Sequence, residues 1–372
     1  MNKEDKYIFL KEIVKKESAI NELLLYTENK FSVRNERTLL LEESYTSAWK
    51  QYTKESEQFG VFETLKKYLV QLQFPIQKGI SKTDEYIDTT LRGGVKESVS
   101  SLLLKQPELV KVEMYCSVFG EVPVITVPNN HDFNSLVCAL SSKNEPVELP
   151  ESMGAAFING INNWDRIHRL KEDWLKKHPF ENWSKHFKEK ILPFPSFYKD
   201  KIIVLSTKPY SGVGNEKLNI STSDWKSFSL QIRREHECVH LFTLKYYGAM
   251  ANNMHDEIIA DYMGITKVLG QFNKEWLLHF IGLENYPNYR KGARLENYLG
   301  KPQLTQEAFN GLKTIMVKVV NSIAEFDAFL GEIKSSKDQL YRVMSLCEID
   351  LITMASSNGV KSLLELYNNK RK

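Results

Sequence analysis

The spacing of apolar residues changes along the chain and divides it into regions. Residues 1 to about 105 show mostly helical spacing, as in the stretch VFETLKKYLVQLQF that begins at Val61. Beyond about residue 301 the spacing is helical again. We therefore predict a mostly helical N-terminal region over residues 1–105, a core of mixed strands and helices over 106–300, and a helical C-terminal region over 301–372.

The central region contains β-branched and aromatic stretches that predict strands. The stretch VKVEMYCSVFGEVPVITVP predicts two strands joined around Gly120–Glu121. KIIVLST, from Lys201, predicts another strand, and EKLNIST, from Glu216, predicts one more after the glycine-rich loop KPYSGVGN. SLVCAL, from Ser135, is a further candidate. Strands mixed with helices predict an α+β fold.

Two helices are predicted after these strands. Ser223 or Asp224 can cap the start of the first helix, because either side chain can accept hydrogen bonds from free amides of the first turn. Gly248 is a typical stop signal for it. The second helix is predicted from about His255 to Leu269.

The first of these helices contains the pattern H-E-x-x-H at residues 236–240. Residues i and i+4 lie on one face of a helix, so His236 and His240 can present two imidazoles to one metal ion. Glu237 lies at the edge of that face. A zinc ion with three protein ligands keeps one position open for water, and a carboxylate beside that water can act as a general base.

The second predicted helix carries two carboxylates at the same i, i+4 spacing. Glu257 and Asp261 follow His240 by 17 and 21 residues. A short turn between the helices would let Glu257 complete a His-His-Glu zinc site. Asp261 is then placed to accept a hydrogen bond from the outer nitrogen of a ligating histidine. Asp256 and His255 are competing candidates for the third ligand.

HECVH followed by Glu257-Ile-Ile-Ala-Asp261 resembles the zincin metallopeptidases of the gluzincin branch, the thermolysin and M1 aminopeptidase type. The match covers about 30 residues. The resemblance implies one zinc ion per chain bound by His236, His240 and Glu257, with Glu237 as general base and Asp261 as an outer partner. It also implies a zincin-like core: a small sheet whose edge strand pairs with a peptide substrate, an active-site helix and a second ligand helix.

A peptidase also needs a donor for the oxyanion of the tetrahedral intermediate. In gluzincins a Tyr or His downstream of the third ligand usually has this role. The stretch HFIGLENYPNYRKGARLENY, from His279, is the best source. We predict Tyr289 as the donor and Arg290 or Arg294 as a clamp for a substrate carboxylate or backbone.

Composition limits the possible partners. The 50 basic and 47 acidic residues give a net charge of +3, which does not predict a nucleic-acid partner. No apolar run approaches the ~18 residues of a membrane helix, so no membrane partner is predicted. Four cysteines without a C-x-x-C pair, and an N-terminus without an unbroken apolar stretch, predict a cytoplasmic protein with reduced thiols.

The predicted function is a zinc-dependent, metallopeptidase-like hydrolase that cleaves peptide bonds, on a peptide or protein substrate restricted by the helical N-terminal region. One alternative is a di-iron carboxylate protein, in which Glu237-x-x-His240 would pair with Asp165-x-x-His168. That alternative leaves His236 without a role. The other alternative is a catalytically inactive, zincin-like binding module, which would have no use for Glu237.

Overall fold

The structure, a computed structural model, describes residues 1–31 and 42–371, and it is an α+β protein as predicted. The strands are β1 (Lys111–Ser117), β2 (Gly120–Val127), β3 (Ala155–Asn162) and β4 (Lys199–Ser206). The helices, in chain order, are α1 (Lys3–Ile13), α2 (Glu17–Tyr26), α3 (Thr46–Phe59), α4 (Val61–Tyr68), α5 (Asp84–Arg92), α6 (Asn130–Ser141), α7 (Trp164–Lys177), α8 (Trp183–His186), α9 (Thr222–Tyr247), α10 (Met254–Leu269), α11 (Lys274–Ile281), α12 (Gln306–Leu330), α13 (Ser336–Cys347), α14 (Leu351–Ala355) and α15 (Gly359–Arg371).

Packing divides the chain into two compact units. The first, which we call the helical unit, consists of Met1–Leu40 and Pro209–Lys372, and the second, the sheet unit, is Leu41–Lys208. Helices α1 and α2 pack against α12, so the two ends of the chain belong to one unit. These two units therefore differ from the three regions that were predicted from the spacing of apolar residues.

The sheet unit contains a four-stranded mixed sheet in the order β1-β2-β4-β3. The β1/β2 and β3/β4 pairs are antiparallel, and β2 and β4 are parallel. The two strands around Gly120–Glu121 and the strand from Lys201 are confirmed. Strand β3, which the pattern did not predict, has an irregular register between Asn159 and Ile161.

Two predicted strands are wrong. SLVCAL lies in α6, which Asn129 caps by accepting from the amides of His131 and Asp132, and its apolar residues pack at helical spacing in the core. EKLNIST starts inside the 3₁₀ turn Asn215–Lys217 and ends where α9 begins. Short apolar runs do not distinguish strand from helix by periodicity alone.

The two helices predicted after the strands are confirmed as α9 and α10. Ser221 caps α9 by accepting from the amide of Asp224, slightly earlier than predicted, and Gly248 ends the helix in the left-handed conformation at φ 72°. Asn253 caps α10. Helix α10 runs back along α9. Within the described residues, no helix is long and apolar enough to cross a membrane.

The close approach of α9 and α10 depends on Gly264. A Cβ atom at this position would lie 2.8 Å from the backbone oxygen of Ile232. Only glycine therefore allows the two helices to pack at this distance without a backbone shift. Ile232 precedes His236 by one turn of α9. The contact therefore fixes where the histidines lie along the helix axis relative to α10.

Candidate metal centre

Helices α9 and α10 bring three ligand atoms to one point. The Nε2 atoms of His236 and His240 are 3.1 Å apart. Oxygen atoms of the Glu257 carboxylate lie 3.4 Å from Nε2 of His236 and 3.5 Å from Nε2 of His240. Zinc bonds to nitrogen or oxygen are about 2.0–2.1 Å long, so the ligand atoms of a tetrahedral site are about 3.3 Å apart. The three separations match that value.

The three side chains are almost fully buried, with 3–6% of their surface exposed. Among the residues that the structure describes, they form the one set of three or more His, Cys, Asp or Glu side chains close enough to share an ion. Two imidazoles and a carboxylate form a common donor set for zinc and related divalent metals. The cluster can therefore hold a metal ion.

The carboxylate of Asp261 faces the outer nitrogen of His236. Its Oδ1 atom is 3.0 Å from Nδ1 of His236. The hydroxyl of Tyr210 donates to the same oxygen at 2.6 Å and lies 2.8 Å from Nδ1 of His236. Arg294 pairs with the other oxygen of Asp261 and donates to the Tyr210 hydroxyl at 2.8 Å. This network orients the ring so that Nε2 faces the ligand cluster.

A second carboxylate stands behind His240. Oδ1 of Asp256 is 3.4 Å from Nδ1 of His240, and neither buried atom has another hydrogen-bond partner among the described residues. Asp256 therefore faces the outer nitrogen of His240. On sequence alone, Asp256 is a competing candidate for the third ligand. His255, the other competitor, points its Nε2 at the carbonyl of Leu346, 2.8 Å away.

The charges of the cluster favour cations at its centre. Burial lowers the pKa of His236 and His240, but the charges and hydrogen bonds of Glu257, Asp261 and Asp256 outweigh burial, so both pKa values are raised. Burial alone would raise the pKa of Glu257, yet the two histidines lower it well below its usual range. The carboxylates around the two rings therefore favour positive charge at the centre of the cluster.

Glu237 lies beside the cluster with 8% of its surface exposed. Burial lowers the pKa of Arg233, one turn earlier on α9, to about 10, and the nearby Glu237 charge opposes that shift. The hydroxyl of Tyr298 is within hydrogen-bonding reach of Glu257, and burial, followed by the charge of Glu257, raises its pKa. The charge of Glu237 also raises the pKa of Tyr298, so Glu237 and Tyr298 lie near each other although they belong to different chain segments.

The three candidates from the downstream loop have different positions. Tyr289 donates its hydroxyl to the carbonyl of Ala293 at 2.9 Å, so this hydroxyl is already engaged away from the ligands. Arg290 pairs with Glu284 at 2.7 Å and is not brought to the cluster. Arg294 is brought to it, but as the buried partner of Asp261 and Tyr210 instead of a free clamp for substrate.

Sequence reasoning missed Tyr210, and it did not select Tyr298, the last residue of the stretch from His279. Tyr210 starts the short 3₁₀ turn Tyr210–Gly212 inside the glycine-rich loop, where Ser211 takes a positive φ of 51°. Nothing in its local sequence indicates that its hydroxyl reaches residues on α9 and α10. Tyr298 ends the 3₁₀ turn Arg294–Tyr298, and only the backbone of that turn determines which tyrosine faces the ligands.

A cavity of about 800 Å³ opens beside Tyr298 in the helical unit. Its walls include Tyr26 at the end of α2, Asn253 at the start of α10 and the segment 297–305. The hydroxyl of Tyr26 accepts from the amide of Met254 at 3.1 Å and donates to the carbonyl of Tyr298 at 2.7 Å. The cavity wall is therefore tied to the helix that carries Glu257.

The fold and the site together define an α+β protein with a buried His-His-Glu cluster suited to a metal ion. The chain belongs to the family described as "Family of unknown function (DUF7005)", whose model matches residues 8–358. No curated protein and no solved structure matches the chain.

Proposed function

We propose that this protein is a zinc-dependent, metallopeptidase-like hydrolase of the zincin type, acting on a restricted peptide or protein substrate. The observation that carries the proposal is the separation of the three ligand atoms, 3.1–3.5 Å, around one point. His236, His240 and Glu257 would hold one zinc ion per chain. Both histidines present Nε2 to that point and turn Nδ1 toward a carboxylate, an arrangement that fixes the tautomer needed for metal binding.

The roles of the chain's own residues follow from their positions. A bound zinc ion would supply Lewis acidity, polarising a substrate carbonyl and making water more acidic. Glu237 accepts the proton of the attacking water and returns it to the leaving amine. The Tyr298 hydroxyl, near Glu257 and on the cavity wall, is better placed than Tyr289 to donate to the developing oxyanion.

The restriction on substrates is supported by burial. His236, Glu237, His240 and Glu257 each expose less than 9% of their surface. The cavity beside Tyr298 is the candidate route for a substrate segment. A bulky folded protein would not reach such a site, so we expect an extended peptide or a flexible chain segment as substrate.

Two alternatives are supported less well. In the di-iron alternative Asp165 would be a ligand, but its carboxylate accepts from the hydroxyl of Tyr52 at 2.6 Å and pairs with Arg169 at 2.7 Å. An inactive binding module would not need Glu237 at the edge of the cluster. Neither alternative uses all of His236, Glu237 and His240.

The test begins with elemental analysis of the purified protein. We expect one zinc per chain in the wild type and in Glu237→Gln, and a loss of zinc in His236→Ala. His131→Ala, which removes an exposed histidine, is the matched control and retains zinc. Two irons per chain would favour the di-iron alternative, and no metal after zinc addition would overturn the proposal.

Activity is tested next with a peptide library and the zinc-loaded protein. We expect cleavage by the wild type and a decrease in kcat of about 10²- to 10⁴-fold in Glu237→Gln, because a general base contributes about that much. Zinc binding without cleavage of any peptide, in both proteins alike, would favour the binding module.

A further inference from the structure

Residues 171–197 of the sheet unit, which we call the aromatic–basic segment, expose large apolar side chains. Phe180 is 100% exposed, Phe194 55%, Leu192 47% and Phe197 39%. Single exposed apolar residues are ordinary, but several in one short segment indicate an interaction surface. The segment includes the end of α7, all of α8 and the turns that lead to β4.

The aromatic rings of this segment pack on one another. The Trp174 ring lies 4.5 Å from the His186 ring and 5.7 Å from that of Trp183. The Trp183 ring in turn lies 5.8 Å from that of Phe187. These four residues are only half-buried. The segment therefore holds these four rings together at the surface.

Lysines lie between these aromatic residues. Over residues 171–197 six lysines oppose three glutamates and one aspartate, so the formal net charge of the segment is +2 with histidines neutral. All six lysines are exposed. The combination distinguishes between kinds of partner, because lysine is depleted in protein–protein interfaces. Tryptophan and phenylalanine interleaved with lysine are typical of segments that lie in the headgroup region of a bilayer.

We infer that the aromatic–basic segment docks this protein on an anionic membrane surface. The aromatic side chains enter the headgroup region, and the lysines extend their aliphatic stems while their ammonium groups contact lipid phosphates and carboxylates. Only a spanning segment needs an apolar run of about 18 residues. A peripheral segment needs no helix long enough to cross the bilayer.

The test is flotation of the full-length protein with phosphatidylcholine vesicles, with and without about one quarter phosphatidylserine. We expect the protein to float with the anionic vesicles, to stay behind with the neutral ones, and to detach in high salt because screening weakens charge attraction. Phe180→Ser combined with Phe194→Ser should reduce the bound fraction at least tenfold. The triple variant of Lys185, Lys188 and Lys190 to Gln should do the same.

Matched controls are available. Phe59→Ser removes a 60% exposed phenylalanine of the same unit, and the triple change of Lys3, Lys11 and Lys15 to Gln removes the same charge from the helical unit. Both controls should bind as the wild type does. All substituted positions are exposed, so the variants should melt at the wild-type temperature.

Three outcomes would overturn the inference. One is the absence of binding to anionic vesicles, and another is an equal loss of binding in the control variants. The third is concentration-dependent self-association of the wild type that Phe180→Ser abolishes, without vesicle binding, which would identify the segment as a protein interface. None of these outcomes depends on zinc or on peptidase activity.

Discussion

Two buried polar clusters of the helical unit share helix α10 but differ in how complete they are. Asp261 faces the metal centre, and its neighbour Tyr262 faces a second cluster, which we call the Arg342 network and which consists of Tyr262, Asp327, Asp338, Arg342 and Tyr367. Arg342 donates to Asp327 at 2.9 Å and to Asp338 at 3.1 Å. The hydroxyls of Tyr262 and Tyr367 donate to the same two carboxylates at 2.5 Å. Each carboxylate of this network therefore has donors at normal hydrogen-bond distances.

The ligand atoms of the metal centre are not paired with donors in this way. Its ligand atoms face one another at 3.1–3.5 Å, mostly too far apart for good hydrogen bonds but close enough to share an ion. Buried charge alone therefore does not indicate a binding site. A site is indicated when acceptor atoms converge and the protein supplies no cation between them.

Arg342→Met should have the largest effect on stability. It leaves Asp327 and Asp338 buried without their cation, and breaking a buried ion pair costs about 3–5 kcal/mol. We expect the free energy of unfolding in urea to fall by that amount, while the zinc content of the folded protein stays at the wild-type value. A loss of zinc in the folded variant would show that the two clusters are not independent.

Gly264→Ala should disturb both helices of the metal centre. The added Cβ would meet the backbone of Ile232 at 2.8 Å, so α9 and α10 must move apart. Overpacking of this kind costs about 1–3 kcal/mol, and here it should also weaken zinc binding, measured by chelator competition. Ser227→Ala, on the exposed face of α9, is the control. Unchanged stability and zinc affinity would show that the helix separation is not critical.

Asp261→Asn and Asp256→Asn should weaken zinc binding without removing a ligand. Loss of an outer partner typically lowers metal affinity about 10- to 100-fold, equivalent to about 1.4–2.7 kcal/mol. Asp338→Asn in the Arg342 network should leave zinc affinity unchanged. If Asp256→Asn bound zinc as the wild type does, the 3.4 Å contact with His240 would have no role in metal binding.

Zinc binding should release protons and weaken as the pH falls. The pKa values of His236 and His240 are raised in the metal-free protein, so these rings carry protons up to a higher pH than free histidine, whereas zinc binds neutral imidazole. Lowering the pH therefore favours the protonated, metal-free form. Calorimetry in two buffers of different ionisation enthalpy should show up to two protons released per zinc. Arg342→Met should give the same number, and no release would contradict the assignment of the two histidines.

The parts of the site that sequence could predict are those within single helices. The His236–His240 and Glu257–Asp261 pairs follow from i, i+4 spacing, and the stop at Gly248 and the short turn after it predict two helices side by side. Asp256 was considered only as a ligand, because its direction depends on how far α10 is rotated about its axis. That rotation is set by tertiary contacts such as the one at Gly264.

The parts that could not be predicted come from loops far apart in sequence. Tyr210 and Arg294 reach Asp261 from positions 51 and 33 residues away. Tyr289 and Tyr298 both follow an asparagine, and only the turn Arg294–Tyr298 decides which one approaches the ligands. The prediction of a strand in EKLNIST is wrong for a related reason. Its apolar residues favour an extended backbone, but a tight turn and the start of a helix occupy this stretch.

The sharing of Asp261 has a consequence for how the protein responds to what it binds. One carboxylate receives the Tyr210 hydroxyl from the glycine-rich loop, the Arg294 guanidinium from the loop before Tyr298, and the His236 ring. An occupant that orders these loops would therefore also order His236. By thermodynamic reciprocity, a metal ion at the cluster would then strengthen the binding of that occupant by the same factor by which the occupant strengthens the binding of the metal.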